Sequence, residues 1–153
     1  LGVSTSVAAG ALSAEGAVSA LSRAFGGALA TRIDPKHLLL AALVGETIGI
    51  AALSAADNPI AISIFAVGSG FGFGMCLFAT AMLLVNYFGP SENPEIFGTF
   101  NLITTAAMIG PAIAGFFADR LGGFAMVFQS FAALMTIMII ITAAMRPPRL
   151  PAQ

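Results

Sequence analysis

The 153-residue chain is 58% hydrophobic and only 8% charged, with a net charge of −1 and a mean hydropathy of +0.97, whereas a soluble domain carries about 25% charged residues. So few charges cannot clothe an aqueous surface, lipid must cover most of the molecule, and the balance excludes a basic nucleic-acid footprint. A single cysteine, Cys76, and a single histidine, His37, exclude a disulfide framework and any metal or catalytic site built from several imidazoles or thiolates, so no metal or cofactor is expected.

The chain opens on Leu1, with no basic region leading into a short apolar one, so it is expected to be a fragment of something longer. A membrane crossing needs about 20 mainly apolar residues for about 30 Å of hydrocarbon, and five stretches qualify. The first covers about 6–30. The second, 37–55, follows Asp34-Pro35, and the third, 59–88, follows Asp57-Asn58-Pro59. The fourth, 96–118, comes after Gly89-Pro90 and Asn93-Pro94. The fifth, 124–145, comes after Gly122-Gly123 and leaves a tail at 146–153. All five are rich in Ala, Gly, Ser and Thr, which let helices approach closely where lipid supplies no hydrophobic drive. Barrel strands would be about ten residues of alternating polarity, and these stretches are not.

Loop charges set the orientation. Arg32 and Lys36 lie between the first and second spans, and Arg146 and Arg149 follow the fifth. With an odd number of spans those regions share one side, facing a single Arg120 on the other. The reading is an N-terminus outside and a C-terminus in the cytoplasm, in the cell membrane.

Three ionisable residues fall inside spans: Glu15, Arg23 and Glu46. Each costs about 2.5–3.5 kcal/mol at the centre of a span, so its default reading is functional or paired. Glu15, Ser19 and Arg23, spaced by four, form a polar stripe on one helix face. Glu15 and Arg23 stand about 12 Å apart along the axis, too far to pair. Arg23 either captures an anion with its guanidinium fork or snorkels and ties helices together. Glu15 either carries a coupling proton or is a hydrogen-bonded acid. Glu46 falls under the same default. Gly68, Gly70, Gly72 and Gly74 have neither the strand nor the acidic ribose partner of a phosphate loop. Mid-span, they read as close packing or a flexible bend. Asn101, Thr104 and Thr105 suit interhelical hydrogen bonds, and Pro111 should kink its span.

Two helix ends resemble each other. Residues 27–34 (GALATRID) close the first span, and residues 115–122 (GFFADRLG) close the fourth. Three helices apart, they emerge on opposite faces. That is the pattern of inverted three-helix repeats in secondary transporters.

Residues 27–37 (GALATRIDPKH) also resemble the loop signature Gly-x-Leu-x-Asp-Arg-x-Gly-Arg-Arg/Lys of the major facilitator superfamily. Gly27, Arg32 and Lys36 match it, and Thr31 stands where that signature has its latching Asp. Gly110, Pro111 and Gly115, followed by Asp119-Arg120-Leu121-Gly122, resemble the family's eleventh helix and its exit. The resemblance spans the chain as helices eight to twelve. It implies an all-α integral membrane fold, a five-helix fragment of a twelve-helix facilitator whose partner is its own missing N-terminal helices. Glu46 falls on the ninth helix, peripheral in the family, which favours a structural role for it. Gly70 and Gly74 then fall on the cavity-lining tenth helix, where they, like Gly110, Pro111 and Gly115, serve packing or a bend.

Tyr87-Phe88-Gly89 and Phe97-Gly98-Thr99 are similar to monocarboxylate porters and oxalate–formate antiporters. The resemblance to those proteins implies that Arg23, four residues before Gly27, contacts a substrate carboxylate. Ser19 stands one turn before it, where the porters have an acid. The expected function is secondary transport of a small solute, best an organic anion such as a monocarboxylate, by alternating access. The alternatives are transport of another substrate, as in drug efflux, or a truncated membrane scaffold. A His pair, a membrane Asp pair and a Gly-x-Ser-x-Gly element are all absent from the sequence, which argues against an enzyme.

Overall fold

The computed structural model describes residues 4–89 and 93–145, and among them every regular element is helical. In chain order these are α1 (Thr5–Ala30), α2 (Pro35–Ala52), α3 (Pro59–Phe88), α4 (Asn93–Ala106), α5 (Gly110–Leu121) and α6 (Phe124–Ala144). A 3₁₀ turn, Leu53–Ala55, extends α2, and another, Ala107–Ile109, joins α4 to α5. The tail at 146–153, with Arg146 and Arg149, lies outside the described residues.

The polar dipeptides between spans are helix starts. Asp34 Oδ1 accepts from the Lys36 N–H at 2.7 Å, and Asn58 Oδ1 accepts from the Ile60 N–H at 2.9 Å. Pro35 and Pro59 follow as first helical residues, where the missing N–H is no loss and φ is already set. Ser4 Oγ caps α1 at Val7. The α5–α6 corner is a glycine stop. Gly122 takes a left-handed φ of 76°, and the Gly123 N–H bonds back to the Ala118 carbonyl at 2.9 Å.

Four helical stretches are long and apolar enough to cross a membrane: Pro35–Ala55, Pro59–Phe88, Glu95–Leu121 and Phe124–Ala144. Helix α1, about 39 Å long at 1.5 Å per residue, has the length without the apolarity. Ser6, Ser13, Glu15, Ser19, Ser22 and Arg23 lower its hydropathy. The fourth span also runs further than expected, from Glu95 to Leu121, with its 3₁₀ turn in the middle. Pro111 explains that turn. Lacking an N–H, it cannot bond the Ala107 carbonyl four residues back, and the Gly110 N–H takes that carbonyl instead.

Helix α3 lies between α1 and α2, α6 packs against α2, and α5 packs on α6. Glycines set this arrangement. A Cβ on Gly72 would lie 2.7 Å from the Ala42 carbonyl oxygen of α2, and one on Gly68 would lie 2.9 Å from that of Gly45. A Cβ on Gly70 would lie 2.6 Å from the Glu15 carbonyl oxygen of α1, and Gly74 meets the Ser19 backbone as closely. Residues two apart on a helix differ by about 200°. Alternate glycines therefore face opposite partners, Gly68 and Gly72 toward α2, Gly70 and Gly74 toward α1. The core that results is small: Leu38, Ala42, Met75 and Ala79, ringed by Leu29, Leu39, Phe71 and Phe78.

Gly72→Ala and Gly70→Ala are expected to destabilise the bundle by at least the 1–3 kcal/mol typical of overpacking, since the obstructing atoms are backbone. Gly98→Ala, with open space around it, should be neutral. Thermal unfolding of the purified variants in one detergent measures the difference.

Candidate functional site

The polar stripe of α1 runs along its seam with α3. Ser19 is buried, and its Oγ accepts a hydrogen bond from Arg23 Nη2 at 3.3 Å. The Arg23 guanidinium carbon stands 5.5 Å from the centroid of the Phe73 ring of α3, within reach of a cation–π attraction. Arg23 itself is exposed on the outside of this bundle. Among the described residues it has no ion-pair partner. Serine and phenylalanine thus hold a cation whose remaining donors are open.

Glu15, half-buried, lies two turns earlier on the same helix, its backbone against Gly70. Glu46 Oε1 accepts from Ser69 Oγ of α3 at 3.0 Å, and Glu46 Oε2 is buried with no protein partner. At this seam, where Gly72 brings α3 onto the Glu46 backbone, a carboxyl group and a hydroxyl from different helices meet directly. Ser69 is the residue sequence reading missed. Its signal was its place between Gly68 and Gly70, where the backbones are too close for a neighbouring polar side chain to reach water.

The loop residues separate into two kinds. Lys36 donates from Nζ to the carbonyls of Ala143 (2.8 Å) and Met145 (2.5 Å) at the end of α6. The α1–α2 loop and the C-terminal end of α6 therefore lie at one end of the bundle, as the four crossings between them (α2, α3, α4 with α5, and α6) require. Arg32 is exposed, Thr31 Oγ1 bonds the Ala28 carbonyl of its own helix end, and Gly27 has open space around it. Gly110 and Gly115 also meet nothing within 4 Å, unlike Gly70 and Gly74. Pro111 marks the start of α5. Thr104 and Thr105 both bond the Asn101 carbonyl within α4, an intrahelical use in place of the expected interhelical one. The described residues contain no cluster of three metal-ligating side chains.

Membrane-length helices packed through glycine seams, with ionisable groups at those seams, define an all-helical polytopic membrane protein. The Major Facilitator Superfamily family model matches residues 1–153, the whole chain, and the chain belongs to that superfamily. Its members are secondary transporters, not enzymes, and transport is the general function of this chain. No curated protein and no solved structure gives a further match.

Ser69→Ala removes the side-chain donor that Glu46 Oε1 bonds at 3.0 Å, at a cost of about 1–3 kcal/mol. Ser63→Ala, which loses only an exposed bond to the Pro59 carbonyl, should be close to neutral. Midpoints of thermal unfolding compare the pair, and equal midpoints would remove the junction from the structural account.

Proposed function

We propose that the chain is helices eight to twelve of a twelve-helix facilitator and that the solute is a small organic anion, best a monocarboxylate. On this reading the five spans supply most of one of two bundles that rock about a midplane site. The missing N-terminal helices of the same protein supply the other. The exposed length of α4 and α5, with Leu102 and Met108 more than 70% accessible, supports a large surface left for lipid and partner helices. The observation that carries the anion assignment is Arg23, fixed by Ser19 and Phe73 yet free of an acidic partner. A planar fork with open donors suits a carboxylate. Glu15, an ionisable group within α1 and half-buried, is the proposed carrier of a coupling proton. The N-terminus lies outside and the C-terminus in the cytoplasm of the cell membrane, with Gly27, Thr31, Arg32 and Lys36 forming the cytoplasmic gating loop.

In the full-length transporter, Arg23→Ala leaves the bound anion without its charge partner, a loss of about 2–5 kcal/mol. Uptake should nearly vanish at normal membrane abundance. Arg23→Lys keeps the charge and loses the fork, and should transport with a raised half-saturation concentration. Wild-type uptake by Arg23→Ala would overturn the anion site.

Sidedness has its own test. In a Cys76→Ser background, single cysteines at 57 and at 36 meet an impermeant maleimide on intact cells. Position 57 should label, and position 36 only after permeabilisation. The reverse pattern would invert the topology.

A further inference from the structure

At the end of the bundle where Lys36 meets α6, a cavity of about 280 Å³ opens between three helices. Its apolar wall is Leu39 of α2 and Leu83, Leu84 and Phe88 of α3, with Met145 just past α6. Thr80 and Thr142, the latter buried, also line it, as does Tyr87, the chain's single tyrosine. Lys36 also lines this cavity.

We infer that this cavity is a binding site for one anionic phospholipid, its phosphate on Lys36 and its upper acyl chain against Leu39, Leu83 and Leu84. The charge argument is local. An ammonium has three donors. The Ala143 and Met145 carbonyls occupy two of those of Lys36 and fix its position. Among the described residues no acceptor meets the third, which can take one from outside the protein. The site also lies at helix-end depth, because Lys36 stands in the first turn of α2 and Met145 closes α6. A basic rim over an apolar slot between membrane helices, at that depth, matches the two parts of an anionic lipid. A tyrosine at the same level suits the headgroup zone.

The chain contains no tryptophan, so Phe88→Trp places a unique fluorophore at the cavity wall. The variant, in vesicles of phosphatidylcholine, is titrated with brominated phosphatidylglycerol and, separately, with brominated phosphatidylcholine. Ile137→Trp, on an exposed face of α6, reports ordinary surrounding lipid. Quenching at position 88 should favour the anionic lipid about fivefold, the ratio that one basic side chain at a membrane surface supports. At position 137 the ratio should be close to one. Lys36→Met in the Phe88→Trp chain should bring the ratio at 88 to one. Thr142→Phe, which fills the slot, should reduce quenching by both lipids. Should Lys36→Met not insert, raised salt on the Phe88→Trp chain tests the same charge, and the preference must fall. Equal quenching by the two lipids at position 88, or a preference that survives both Lys36→Met and salt, overturns the site. Quenching by neither lipid would mean that protein, such as a second copy of the chain, covers the cavity, and overturns it too.

Discussion

Backbone contact between α3 and its two neighbours is the constraint from which the rest of the bundle follows. In lipid, apolar side chains gain nothing by meeting each other rather than hydrocarbon, so association rests on close packing and on bonds between buried polar groups. Four glycines at every second position give α3 two bare faces, one for α1 and one for α2. A glycine every fourth residue would serve a single partner. The doubled spacing serves two, and α3 is the helix that both others need.

That closeness also determines where polar groups can survive. Ser69 stands between two of the glycines and reaches Glu46 directly across the α2–α3 seam. In hydrocarbon neither side chain has water as an alternative, so the bond fixes the register of the two helices as well as their contact. On the α1 face the same logic buries Ser19, which then serves as acceptor for Arg23. The charged group stays at the edge of the seam, over Phe73, and does not enter it. Packing therefore forms a polar junction inside the bundle and leaves a held cation outside it.

Much of this was legible in the sequence. Span limits came from apolar runs and from Asp-Pro and Asn-Pro dipeptides, because a proline at the first helical turn fixes a boundary in local chemistry alone. The shared end of the α1–α2 loop and α6 followed from parity, and Lys36 joins them physically. What stayed hidden was partner choice. Nothing in the spacing of Gly68 to Gly74 says which neighbour each face meets, and the pairing of Glu46 with Ser69 depends on that answer. For Glu15, Ser19 and Arg23 the common face was readable at intervals of four. Their unequal burial was not, because it depends on how far α3 covers the face.

The fourth span shows the other side of the same rule. Glu95–Leu121 has glycines too, but a Cβ on Gly98, Gly110 or Gly115 would meet nothing within 4 Å among the described residues, and the α4 portion touches little beyond the end of α3. Its hydrogen-bond ladder is interrupted at Ala107–Ile109 because Pro111 offers no N–H. A packed helix such as α3 cannot bend without separating two backbones held by glycine contacts. A rod with open space at its glycines and a 3₁₀ turn at its centre has no such restraint. Within this chain, α1, α2 and α3 form the rigid part, and the joint between α4 and α5 is where the bundle can change shape at least cost.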